Sequence, residues 1–186
     1  MAKSDIHKIT ALLKKGGAAI LPAGTVYGLF CSALSEAGVK KIYKIKGRSF
    51  EKPLQVFFAD VEDIKEYAIT TPEKWKKILS YLPGPYTIVL KLRKKHLNTF
   101  SFLKTGTCGF RVVDIRIINE IINELGGPLA STSANISGGA TPVKFREISP
   151  EILKIAGYNL KNDLLTGGKA SSVIDMTGKK EKIIRK

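Results

Sequence analysis

Three cations and a glycine fall within seven residues at Lys46-Gly47-Arg48-Ser49-Phe50-Glu51-Lys52, and Pro53 and a short apolar run follow at once. Cations at this density beside a core element mark an anion site, suited to a phosphate or a carboxylate. A second stretch could share the work. Ser131-Thr132-Ser133-Ala134-Asn135-Ile136-Ser137-Gly138-Gly139 sets hydroxyls, one amide and two glycines behind an apolar pair. Small donors and exposed backbone amides of this kind cradle phosphates. Arg111 sits in the otherwise apolar run 108–113, and a charge buried there needs a partner or a ligand.

The elements around these residues alternate in type. Helical spacing is read over 5–15, with Ser4 or Asp5 as cap, over 36–46 up to Gly47, over 61–67, 73–82 and 146–156, and over 115–125 behind a capping Asp114. Strands are read at 18–21, 54–58, 86–92, 108–113, 164–165, 171–176 and 181–185. Pro22-Ala23-Gly24-Thr25-Val26-Tyr27-Gly28-Leu29 reads as a turn behind the first strand, where α/β sheets bind ligands. Pro83-Gly84-Pro85 is a rigid turn, and 97–107 reads as polar and mobile. The expectation is one α/β domain over 1–186, with a twisted mixed sheet and flanking helices.

Lysine and arginine number 31 against 16 aspartates and glutamates, a net charge of +15. Such an excess suits a polyanionic partner or substrate, or else decorates the surface. The cluster Lys91, Arg93, Lys94, Lys95, His96 is either an RNA-facing patch or a solvated loop. Two cysteines and two histidines leave no disulfide framework and no zinc spacing. Cys31 and Cys108 sit in apolar runs and read as core. Gly167-Gly168-Lys169 lacks the rest of a Walker A loop, and neither a dinucleotide fingerprint nor a nucleophile elbow occurs. Without a signal-peptide run or a transmembrane-length segment, a cytoplasmic location is expected.

Taken in order, several blocks resemble the YrdC-like family. They are Pro22 to Leu29, Lys46-Gly47-Arg48 continuing to Lys52-Pro53-Leu54, Pro83-Gly84-Pro85-Tyr86-Thr87, Gly109-Phe110-Arg111, Ser131 to Gly138, and Ser171-Ser172-Val173-Ile174-Asp175. The resemblance implies a twisted α/β sheet with a positively charged concave face. It also implies a nucleotidyltransferase reaction in which L-threonine, bicarbonate and ATP give L-threonylcarbamoyladenylate and pyrophosphate. The product serves threonylcarbamoyladenosine modification of tRNA through a downstream transferase.

By the same resemblance Lys46, Arg48 and Lys52 contact nucleotide phosphates, with Lys46 and Arg48 catalytic. Thr107 and Asn135 contact the nucleotide. Thr25, Arg111, Ser133 and Ser171 hold the threonine moiety. Mg²⁺ is held mainly by substrate phosphates rather than by protein ligands. Three positions depart from the pattern: Ala23-Gly24 replaces a Thr-acidic pair, Phe57 stands for a substrate-contacting histidine, and Val143 for a nucleotide-binding threonine. The length resembles the short, single-domain type. The competing readings are a non-catalytic tRNA or double-stranded RNA binder, and another carbamoyl-transfer enzyme of the superfamily.

Overall fold

The computed structural model describes residues 3–103 and 105–186. In chain order the elements are α1 (Lys3–Lys14), β1 (Ala19–Pro22), β2 (Tyr27–Ser32), α2 (Glu36–Lys46), β3 (Gln55–Phe57), α3 (Ile64–Tyr67), α4 (Pro72–Tyr81) and β4 (Tyr86–Lys91). They continue with β5 (Thr107–Arg111), α5 (Arg116–Leu125), β6 (Leu129–Ser133), α6 (Pro150–Ile155), β7 (Tyr158–Asn159), β8 (Ser172–Asp175) and β9 (Lys182–Arg185). The nine strands form one sheet in the order β7-β1-β2-β6-β3-β5-β4-β8-β9. It is mixed: β1/β7, β3/β5 and β4/β8 run parallel, and the other neighbours run antiparallel.

The two faces of the sheet differ, and the difference positions the site. Side chains alternate between faces along each strand. One face sends Ile20, Leu29, Cys31, Ala130, Val56, Phe110, Ile88 and Ile174 into a core roofed by α2, α3, α4 and α6. The other face sends Leu21, Phe30, Leu129 and Phe57 under α1 and α5, whose Ile9, Leu13, Ile118 and Ile121 are fully buried. That second core draws nothing from β4 or β8. Beyond it the same face carries Gln55, Gly109, Val89, Val173 and Asp175, all half-buried. A floor with no helix packed over it is therefore left open at one end of the sheet.

Two local signals bring Arg48 toward this floor. Ser35 caps α2 by accepting the Gly38 N–H, and Gly47 ends the helix in the left-handed region at φ 58. A side chain is strained there, so glycine suits the stop. The chain then turns abruptly, and Arg48 leaves the helix axis.

Several sequence expectations are corrected. The turn read over 22–29 is confined to 23–26 as a tight hairpin, and β2 begins at Tyr27, which pairs with Pro22. Glycine belongs inside this strand because a Cβ at 28 would lie 2.6 Å from the Phe30 ring and 2.8 Å from Ser131 Oγ. Residues 163–165 form a 3₁₀ turn instead of a strand, capped by Asn162. Within the segment read as polar and mobile, Phe100 and Phe102 are buried in the core, each 1% exposed. Asp114 does not cap α5; the capping position is Ile115, with no side-chain bond. Cys31 and Cys108 are free and buried, as read.

Tyr27 ties this architecture together. Its fully buried ring brings the hydroxyl to Asp163 Oδ1, to which it donates at 2.7 Å, and it accepts the Asn162 N–H at 2.9 Å. Asp163 also accepts the Phe145 N–H. Burial, followed by the Asp163 contact, pushes the Tyr27 hydroxyl from 10.0 to about 12. Tyr27→Phe is expected to cost about 1.5 kcal/mol in urea unfolding. Because the folded value is the higher one, the tyrosine's contribution is fully present below pH 10 and is lost as pH rises to about 12. The gap between wild type and variant should close over that window.

Candidate active site

A small cavity opens where β2, β6, β3 and β5 meet the segment leading into β8. Its volume is about 140 Å³, room for a molecule of amino-acid size. Thr25, Arg48, Arg111, Ser133 and Ser171 line it, so five of the nine sequence-assigned residues converge. Register explains the convergence. Phe57 pairs with Arg111 and Leu129, while Gln55 pairs with Gly109 and Ser131, which puts the arginine and the hydroxyls on one face.

Arg111 is the focus. It is 3% exposed, and its guanidinium lies 4.7 Å from the Phe57 ring centroid. It donates to Thr25 Oγ1 and to Ala23 O, both at 3.3 Å, and its Nε has no partner among the described residues. Burial, then the charge of Arg185, pulls this guanidinium down to about 9. Arg185 is a site residue that sequence reasoning missed. It reaches in from β9 to donate to Ser171 O at 2.8 and 3.0 Å and to Ser171 Oγ at 3.1 Å. Ser171, 3% exposed, is also 2.9 Å from Thr87 Oγ1.

Arg48 completes the set. Its Nε and Nη2 donate to Lys52 O at 3.0 Å and Pro53 O at 3.1 Å, folding the 47–53 loop back on itself. Burial lowers its pKa as well. No aspartate or glutamate lines the cavity. Arg48, Arg111 and Arg185 take part in none of the ion pairs among the described residues. Three guanidiniums without a carboxylate, one of them buried with an idle N–H, are arranged for an external anion.

Four predicted residues lie outside the wall. Lys46 is behind it, 1% exposed, its Nζ donating to Ser133 O, to Asn135 O at 2.6 Å and to Asn135 Oδ1 at 3.1 Å. Burial, then the charge of Arg48, draws its pKa down to about 8. Asn135 stands in the same network. Lys52 is exposed, and only its backbone carbonyl takes part, accepting from Tyr43 and Arg48. Thr107 shares the face of Arg111 but lies at the other end of β5, with its hydroxyl on Thr105 at 2.8 Å.

Gln55 and Thr141 also line the cavity without having been singled out, and Ser131, read only as one hydroxyl of the 131–139 stretch, lines it too. Gln55 was identifiable only through the pairing of β3 with β6, which sets it opposite Ser131. Val143 and Phe57 are not in the wall. Phe57 supports Arg111 from beneath.

The arrangement agrees with what the chain is similar to. A Methanocaldococcus jannaschii protein, named as a candidate threonylcarbamoyl-AMP synthase, is 36% identical over 92% of this chain and 82% of its own. The human threonylcarbamoyl-AMP synthase is 36% identical over 79% of this chain, which spans 53% of that protein. Among solved structures, P. abyssi Sua5 complexed with L-threonine superposes with a TM-score of 0.86 at 26% identity. That match covers all of this chain and 54% of the other. The family model for Sua5, YciO and YrdC proteins, described as "Telomere recombination", matches residues 11–186. With the fold, the ordered blocks and that match in agreement, the chain belongs to the Sua5/YciO/YrdC family.

Proposed function

We propose that this chain is an L-threonylcarbamoyladenylate synthase, a nucleotidyltransferase acting on L-threonine, bicarbonate and ATP. The observation that carries the reading is Arg111, a buried guanidinium with an idle Nε at the end of an amino-acid-sized cavity. A related protein has been solved with L-threonine, and the relatives bear the synthase name. Arg111 would fork onto the threonine carboxylate, with Thr25 and Ser171 fixing the same end. Arg48 and Arg185 would face the nucleotide phosphates, which would extend over the open floor toward Gln55 and Thr107.

In the chemical step an oxygen of the threonine carbamate attacks the α-phosphorus. The bond to the β-phosphate oxygen breaks, and pyrophosphate leaves with the electron pair. Every participant is anionic. Catalysis would therefore be positioning and charge neutralisation by preorganised cations, with no need for a strong general base. The cavity wall offers no carboxylate, and the described residues contain no cluster of three metal-ligating side chains. Mg²⁺ would accordingly be held by the phosphates, where it neutralises charge on the leaving group.

The arginine-lined cavity is read as part of the cationic concave face that the resemblance implies, and tRNA as the eventual recipient of the product through a downstream transferase. At the 91–96 cluster, part of the charge that suggested the RNA-binding alternative is engaged within the protein. Lys95 is paired with Glu66, and Arg93 is bonded to Lys65 O. No helix among the described residues is long and apolar enough to cross a membrane, which accords with the cytoplasmic setting proposed.

The test is pyrophosphate release by the purified chain with ATP, Mg²⁺ and bicarbonate. Release should depend on L-threonine. Release that ignores threonine, or no release, would refute the reading.

A further inference from the structure

The ammonium of Lys46 has three N–H groups and no lone pair. Three acceptors surround it: Ser133 O, Asn135 O and Asn135 Oδ1. With the residue 1% exposed, no donor is left over for a phosphate. This fixes the order of protons around it. Because lysine can only donate, the Asn135 side-chain atom facing it must be the carbonyl oxygen. The amide nitrogen then points away, where it donates to Gly139 O at 2.6 Å and Ile136 O at 3.0 Å. Ser133 Oγ lies 2.5 Å from the same Asn135 Oδ1 and must spend its one proton there. Ser133 therefore meets the cavity with lone pairs only. The Ser137 N–H donates to Lys46 O at 3.0 Å, so backbone and side chain of one lysine both grip the 133–139 segment.

We infer that Lys46 is a positioning residue rather than a phosphate contact: through Asn135 it sets the Ser133 hydroxyl as an acceptor for an N–H or O–H of the bound substrate. The inference rests on the synthase reading for the identity of that substrate. A triphosphate carries only acceptors and cannot satisfy such a serine. The threonine moiety offers N–H and O–H groups, and the ribose offers O–H groups. Lys46 thus serves the site at one remove. Its cost as a buried cation is offset by three carbonyl dipoles and by the order that it imposes on the wall.

A double-mutant cycle separates the two roles. Lys46→Met should lower kcat/KM about 100-fold, as loss of a preorganised contact does. In an Asn135→Ala background it should add less than ~3-fold, because both substitutions break one network. Losses that multiply would overturn the inference. Ser133→Ala should raise the KM of the substrate whose donor it accepts, threonine or ATP according to the source. An unchanged KM for both would overturn it.

Two readouts are independent of turnover. In the ligand-free protein, Lys46→Met should speed amide hydrogen exchange across 135–139. In wild-type protein saturated with ATP and Mg²⁺, the Lys46 ammonium should show no through-hydrogen-bond ¹⁵N–³¹P coupling. A measurable coupling would contradict the assignment even if Lys46→Met failed to fold. Neither readout depends on pyrophosphate being released, so failure of this inference is distinguishable from failure of the synthase reading.

Discussion

Replacing Arg111 with methionine should cut threonine-dependent pyrophosphate release by at least about 100-fold while leaving Tm unchanged or raising it. The two effects have one cause. The guanidinium is 3% exposed, makes two long hydrogen bonds at 3.3 Å, and its Nε has no partner among the described residues. Burial, then the charge of Arg185, disfavours the charged form and pulls its pKa down to about 9. An apolar side chain of similar length would keep the contact with Phe57 and remove the desolvation penalty, an exchange that is often neutral or stabilising. The substrate carboxylate would lose the group that neutralises it. Steady-state assay and thermal unfolding on the same preparation check both halves. Retained activity with a lowered Tm would make Arg111 a structural residue.

Arg48→Ala should produce the second large loss, about 100-fold in kcat/KM for ATP. Arg48 lines the cavity, and it donates to the carbonyls of Lys52 and Pro53 in its own loop, beside the Tyr43 hydroxyl. Those two bonds sit at a half-exposed position, so unfolding free energy should change by no more than about 1 kcal/mol. Lys52→Ala should cost less than ~10-fold, because its exposed side chain carries a surface charge that solvent screens. A Lys52 effect equal to that of Arg48 would show that the loop closes farther over the nucleotide than its folded-back position suggests. Steady-state kinetics with ATP as the varied substrate gives the ranking.

The arginine of β5 was legible in the sequence because a charge in an apolar run is anomalous on physical grounds alone. Helix α2 was legible from its apolar spacing over 36–46 and from Gly47 as a stop, while its Ser35 cap emerges from the structure. β2 was not, since Gly24 and Gly28 flank the Thr25 hairpin and imitate a longer loop. The need for glycine at 28 appears only when Phe30 and Ser131 are seen beside it. Arg185 was hidden because its place depends on the β8–β9 hairpin, whose register shifts between Val173 and Ile174. The open floor was hidden more deeply. β3 lies between β6 and β5, and β4 between β5 and β8, so no local pattern shows which face goes without a helix. Lys46 was recognisable as part of a cationic motif, yet its burial and its three carbonyl partners come from a segment 87 to 89 residues away.

The central claim is that this chain joins threonine, bicarbonate and ATP into one mixed anhydride. Incubation with ¹³C-bicarbonate, L-threonine, ATP and Mg²⁺, followed by rapid quench and mass spectrometry, tests it directly. The expected result is a threonylcarbamoyladenylate ion one mass unit heavier than that formed from ordinary bicarbonate, absent without threonine and absent in Arg111→Met. Threonine-dependent pyrophosphate release with no labelled carbon in the adenylate would contradict the claim, because the acyl group would then be threonine itself.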